Sequence, residues 1–272
     1  MLDITAECCS AWKSIREKCP LIHNITNYVT VNDVANIELA MGASPIMADD
    51  DRESADITSI ANSLVINIGT LNSRTVNSMI QSGKTANANN IPVIFDPVGA
   101  GASELRNSTT ARILNEIKVS VIRGNISEMS FIAGISSNTK GVDVSAKDIS
   151  RDKIKTARII AEKYGCTAAI TGKVDVITDG KTTFEIENGV AELSRVTGAG
   201  CMTTGLVGGF AAVTDPLTAA VCAVASMGIA GEISFEKYGK IGTGSFHIGI
   251  IDAISLMDSE VFSERAKINE IR

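Results

Sequence analysis

The chain has 272 residues, 44% of them hydrophobic but only 4% aromatic, and a formal net charge of −6. The negative balance argues against a nucleic-acid or anionic-membrane surface, while leaving room for a local basic site that binds phosphate on a small ligand. Nothing between residues 20 and 260 reads as a linker, so a single domain over residues 1–272 is expected, its core built from Ile, Val, Ala and Met.

The chain begins Met1-Leu2-Asp3-Ile4-Thr5-Ala6-Glu7, with neither the basic start nor the apolar run of a secretory signal, and a cytoplasmic location is expected. The stretch His23-Asn24-Ile25-Thr26-Asn27-Tyr28-Val29-Thr30 is dense in hydrogen-bonding groups. It reads either as a loop that contacts substrate or as a helix-cap network. Residues 41–47 read as a turn and a short buried strand, where Met47 fits a core position as well as a ligand contact.

Apolar, β-branched runs follow at residues 64–70, 91–97, 119–125 and 168–172, and each closes on a polar or glycine cluster. Helical stretches at 73–84, 108–117 and 151–164 lie between or beside them. This alternation predicts an α/β fold with a mostly parallel central sheet and helices on both faces. Residues 174–178 and 182–185, joined by Asp179-Gly180-Lys181, then predict an antiparallel hairpin near the sheet edge. The last third, residues 201–213, 216–239 and 245–257, reads as helices. Within it the apolar region 205–231 is broken by Asp215-Pro216 into pieces too short to span a membrane, which predicts buried helices.

The six cysteines, at positions 8, 9, 19, 166, 201 and 222, form no C-x-x-C pair and no zinc spacing. Neither a disulfide framework nor a metal cluster is expected, and most should be small buried hydrophobes. Familiar nucleotide motifs also fail on context. Gly83-Lys84-Thr85 has Ser78 where a P-loop needs its first glycine, and Gly99-Ala100-Gly101 has Glu104 where a dinucleotide fingerprint needs its third.

Ligands of open parallel sheets bind beyond the carboxyl ends of the strands, so the residues closing each strand carry the weight. They are Asn67 and Thr70, Asp96, Arg123 with Asn125 and Glu128, and Thr171. If Asp96 and Glu128 converge, they offer hard oxygen ligands for Mg2+, directly or through water, as a nucleotide phosphate chain requires. Arg123 would then hold phosphate oxygens. The competing readings are an Asp-Pro turn and a surface ion pair.

Thr197-Gly198-Ala199-Gly200-Cys201 stands where an irregular segment becomes a helix. The first N–H groups of a helix lack internal partners and face any anion placed there, helped by the helix dipole. The same field favours a thiolate at Cys201. A glycine-rich packing turn is the alternative.

Together these blocks resemble the hydroxyethylthiazole kinases, the thiamine-salvage enzymes of the ribokinase-like superfamily, over nearly the whole chain. The resemblance rests on residues 23–30, Gly42-Ala43-Ser44-Pro45-Ile46-Met47, Asn67-Ile68-Gly69-Thr70-Leu71, Asp96-Pro97-Val98-Gly99-Ala100-Gly101, Arg123-Gly124-Asn125 with Glu128, and Val196 to Cys201. Most ribokinase-like kinases have an aspartate after the Gly-x-Gly turn, and this subfamily has the cysteine seen at Cys201.

The resemblance implies ATP as donor, Mg2+ as cofactor, 4-methyl-5-(2-hydroxyethyl)thiazole as acceptor, and a homotrimer with active sites at subunit interfaces. By position, it places Asn27, Met47 and Gly198 on the thiazole, Arg123 and Thr171 on ATP, and Asp96 and Glu128 on Mg2+. The amides of Gly198, Ala199, Gly200 and Cys201 would form the anion hole. Relatives often carry proline in place of Thr243, and His247 has no role in the pattern. A hydroxymethylpyrimidine kinase, a nicotinamide-hydrate dehydratase and a non-catalytic thiazole or nucleotide sensor are the competing functions.

Overall fold

The computed structural model describes residues 3–135 and 146–271. Among them lie nine strands: β1 (Leu21–Ile25), β2 (Ser44–Met47), β3 (Ser63–Asn67), β4 (Val93–Asp96), β5 (Val121–Asn125), β6 (Thr167–Thr171), β7 (Asp175–Thr178), β8 (Thr183–Ile186) and β9 (Ile268–Ile271). The α-helices are α1 (Ile4–Lys18), α2 (Val31–Met41), α3 (Ser54–Ile60), α4 (Ser73–Ala88), α5 (Glu104–Glu116), α6 (Ile126–Ala133), α7 (Ala146–Tyr164), α8 (Ala199–Ala211), α9 (Pro216–Tyr238), α10 (Thr243–Leu256) and α11 (Ser259–Arg265).

The strands form one sheet in the order β2-β1-β3-β4-β5-β6-β7-β8-β9. Strands β2 to β6 run parallel, whereas β7, β8 and β9 pair antiparallel. The expected mostly parallel sheet and its hairpin are therefore present, and β9 forms the edge beyond them. Alternate side chains of a strand point to opposite faces, so each strand feeds two cores. Ile22, Val65, Ile94, Val121 and Ala169 pack with residues of α1, α8, α9 and α10, around Trp12 and Phe210. Leu64, Ile66, Phe95, Ile122 and Ala168 pack with residues of α4, α5 and α7. The Trp12 and Phe210 rings meet edge to face at 5.0 Å, and the Trp12 indole N–H donates to Ser226 Oγ at 3.2 Å.

Four expectations need correction. The polar stretch from His23 begins inside β1, with His23 and Asn24 fully buried. Its hydrogen bonds come from tertiary partners that sequence spacing does not reveal. The His23 ring lies 2.8 Å from both Thr58 Oγ1 and Ala48 O, and Asn24 Nδ2 donates to Glu38 Oε2 at 2.9 Å. Burial pushes the Glu38 carboxyl well above the usual carboxylate range.

Asp215-Pro216 does not shorten the following helix below membrane length, because proline at the first helical position fits a helix start and the Asp215 carboxylate caps Leu217 and Thr218 N–H. Helix α9 has 23 residues, long and apolar enough to cross a membrane, yet 83% of its most apolar window is buried in the protein. Its apolarity serves the core. Finally, only Cys8, Cys166 and Cys222 are buried, half of the cysteines rather than most. The strand at residues 44–47 is also half-exposed rather than buried, since β2 lies at the sheet edge.

Helix α8 sits close to the sheet. Ser63 Oγ of β3 donates to Gly208 O at 2.7 Å, and a Cβ on Gly208 would fall on the Val65 Cγ2 methyl. Gly208→Ala should therefore cost about 1–3 kcal/mol by overpacking, read from the urea unfolding midpoint. Gly244→Ala, where a Cβ meets nothing within 4 Å, should leave the midpoint unchanged or slightly raised.

Candidate active site

The parallel strands deliver their last residues to one rim. Asn67 and Asp96 are register partners at the ends of β3 and β4, and Asn125 and Thr171 are partners at the ends of β5 and β6. Across from them begins α8, with Gly198 as its N-cap at φ +88°. A Cβ on Gly198 would lie 2.8 Å from Thr30 Cγ2, so both the backbone angle and the close approach to α2 demand glycine.

Asp96 is the centre of the polar cluster, and it is almost fully buried. Its Oδ2 accepts from Asn67 Nδ2 at 2.9 Å and Thr204 Oγ1 at 2.8 Å, with Arg123 Nη1 3.9 Å away. Its Oδ1 is buried without a partner. Burial pushes the Asp96 carboxyl up to about 6, with the Glu128 charge adding to the rise and Arg123, Thr204 and Asn67 opposing it. Arg123 Nη2 donates to Thr171 Oγ1 at 2.6 Å, which joins the two residues expected on ATP.

Cys201 lies in the first turn of α8, and its Sγ accepts from Asn27 Nδ2 at 3.2 Å and from Asn67 Nδ2 at 3.3 Å. Asn27 Nδ2 also donates to Asn67 Oδ1 at 3.1 Å, while Asn27 Oδ1 accepts from Thr30 N and Oγ1. Asn27 thus binds the start of α2, as a helix-cap network would, and also reaches Cys201. The N–H groups of Gly200 and Cys201 belong to a turn with no carbonyl four residues earlier in the helix to receive them. A Cβ on Gly200 would lie 2.7 Å from Arg123 Nη1, so the guanidinium rests directly against this turn.

Glu128 caps its own helix and the neighbouring turn. Its Oε2 accepts from Asn125 N and its Oε1 from Gly99 N, each at 2.8 Å. Among the described residues no group of three or more His, Cys, Asp or Glu side chains converges as a metal cage. Two carboxylates, one with a bare buried oxygen, suit a hard cation such as Mg2+ that keeps most of its shell as water and phosphate oxygens. The residues fit that ion. Met47 closes the edge strand β2, in register with Asn24 of β1, and is half-buried.

Several contributors escaped the sequence reading. Asn67 was legible only as a polar strand end, and its register opposite Asp96 is what gives it two partners. Thr204 lies on α8 one turn past Gly200, a spacing that reads equally well as core. His247 Nε2 lies 3.1 Å from Asp33 Oδ1, and Asp33 stands behind the Gly198 turn, which gives that histidine a structural place. Two surface cavities of about 280 and 340 Å3, one between α4 and α5 and one beside the start of α9, share no residue with this cluster. The assignment rests on converging chemistry.

Comparison with known proteins points the same way. Residues 12–260 match the model of the hydroxyethylthiazole kinase family. A hydroxyethylthiazole kinase of Ruminiclostridium cellulolyticum is 62% identical over the full length of both chains, and one of Clostridium beijerinckii is 59% identical over 99% of each. The structure of a hydroxyethylthiazole kinase protein from Pyrococcus horikoshii superposes with a TM-score of 0.91 at 38% identity, covering 98% of this chain and 100% of that one. The pyridoxal kinase of Staphylococcus aureus in complex with ADP gives a TM-score of 0.61 at 18% identity over 77% and 86% of the two chains, a likeness of fold. The fold is ribokinase-like.

The raised Asp96 carboxyl has a consequence for stability. Its proton is held more tightly in the folded chain, so its contribution is intact below about 3.8 and lost as pH rises through about 6. Above that, carrying the charge costs up to about 3 kcal/mol. Asp96→Asn should raise the urea midpoint at pH 8, with a smaller gain at pH 5.

Proposed function

The chain belongs to the hydroxyethylthiazole kinase family, and we propose that it transfers the γ-phosphoryl group of ATP to the hydroxyl of 4-methyl-5-(2-hydroxyethyl)thiazole, yielding the phosphate ester and ADP in thiamine salvage. The observation that carries this reading is Cys201 Sγ, held by two amides in the first turn of α8 beside Arg123 and Asp96.

Asn27, Met47 and Gly198 bind the thiazole and aim its hydroxyl at the turn. Cys201 aligns that hydroxyl, whose oxygen forms the new bond to phosphorus as the bond to the ADP oxygen breaks, its proton leaving late to a phosphoryl oxygen and on to water. Phosphoryl transfer depends mainly on position and charge stabilisation and little on a strong base, so a cysteine suffices where relatives of other specificity use aspartate. Arg123 and Thr171 hold the phosphates of ATP. The N–H groups of Gly198, Ala199, Gly200 and Cys201 receive the charge of the moving group. Asp96 and Glu128 would hold Mg2+, directly or through water, which neutralises the phosphate chain.

We further propose one kinase domain over residues 1–272, working in the cytoplasm as a homotrimer without nucleic-acid or membrane partners. All nine described strands belong to one sheet, and Leu39 of α2 and Ile248 and Leu256 of α10 are large apolar side chains left exposed, which favours association of copies.

ADP release by the purified protein should require both Mg2+ and the thiazole alcohol, and hydroxymethylpyrimidine should not substitute. Cys201→Ser should keep turnover within roughly tenfold of the wild type, and Cys201→Asp should be active. Near-complete loss in Cys201→Ser at unchanged Michaelis constants would instead make Cys201 the base.

A further inference from the structure

We propose that Arg106 is a positioning residue for phosphoryl transfer, one guanidinium that fixes the thiazole-side loop after β3 against the metal-side turn after β4. Arg106 is the third residue of α5, and its N–H is capped by Ser103 Oγ at 3.3 Å. A side chain at the start of a helix leans back toward the N-terminus, here over the turn at residues 97–101. Nη1 donates to Ile68 O and to Val98 O, both at 2.5 Å, and Nη2 donates to Gly69 O at 2.8 Å. The side chain crosses Gly99 so closely that a Cβ there would lie 3.1 Å from Arg106 Cδ. Among the described residues no carboxylate lies within ion-pair distance of Arg106, so three carbonyl dipoles receive its charge.

Each of those carbonyls belongs to a segment that orients a site residue. On one side, Gly69 N donates to Asn67 Oδ1 at 2.8 Å, Gly69 rests against the Asn27 side chain, and Tyr28 N donates to Thr70 Oγ1 at 3.2 Å. Asn27 and Asn67 are the two amides on Cys201. On the other side, Gly99 N donates to Glu128 Oε1. Arg106 therefore stands one bond from both halves of the site, with its guanidinium engaged by backbone carbonyls. A planar fork of five N–H donors can serve three carbonyls from two loops, and a lysine ammonium cannot match that geometry.

This inference rests on the kinase reading of the site, and its test separates the two. Arg106→Lys and Arg106→Gln should be compared with the wild type and with Arg112→Gln, a surface control on the same helix whose guanidinium pairs with Glu116 at 2.8 Å. The readouts are the urea midpoint, kcat, KM for the thiazole alcohol, and calorimetric affinity for Mg·ADP without acceptor. We expect both Arg106 variants to fold, with KM for the alcohol raised about tenfold and Mg·ADP bound several-fold more weakly, Lys less affected than Gln and Arg112→Gln unchanged. Kinetics and affinity within about twofold of the wild type, or losses that merely track the unfolded fraction, would overturn the proposal. If the wild type shows no thiazole-dependent ADP release, the kinase reading fails, and the Mg·ADP comparison still decides for or against Arg106.

Discussion

Helix α8 is fastened to one face of β3, and the site depends on that seam. Ser63, Val65 and Asn67 are alternate residues and so point the same way. Ser63 Oγ bonds Gly208 O, Val65 fills the space against Gly208, and Asn67 reaches Cys201 Sγ two turns earlier in the helix. The seam sets how far the first turn of α8 projects past the strand ends. There it meets Arg123 so closely that a Cβ at position 200 would push the guanidinium aside.

Asp96 completes the seam from the neighbouring strand by accepting from both Asn67 and Thr204. The fold holds this carboxyl at a cost, since burial raises it to about 6 even with a guanidinium nearby. A buried acid with one bare oxygen is poorly placed for stability alone. That cost fits the proposed role of a cation ligand, whose charge a bound cation and phosphates would compensate. Glu128 shows the complementary arrangement, with both oxygens bonded to backbone N–H groups that keep it facing the same rim.

Much of this was legible in the chain. The β-branched runs announced the parallel strands, and the rule that ligands gather at strand carboxyl ends singled out Asp96, Arg123 and Thr171, which the fold brings together. What stayed hidden depended on partners distant in sequence. β1 was obscured because His23 and Asn24 look like loop residues until Thr58, Ala48 and Glu38 supply their hydrogen bonds. β9 lacks a strong apolar run, and it is a strand because β8 offers it an edge. Arg106 and Thr204 carry no motif signal, since their roles come from carbonyls and a carboxylate positioned by other elements.

In the proposed reaction, the first turn of α8 and Arg123 together receive the transferred phosphoryl group. Gly200→Ala is the sharpest probe, because its methyl would take the space where the Arg123 guanidinium rests without removing any polar side chain. The measurement is kcat and the ATP KM of this variant with the thiazole alcohol, beside its urea midpoint. The account predicts a folded protein with turnover reduced about a hundredfold, a barrier change of roughly 3 kcal/mol typical of a lost anion-hole contact. A folded Gly200→Ala protein with wild-type turnover would contradict it.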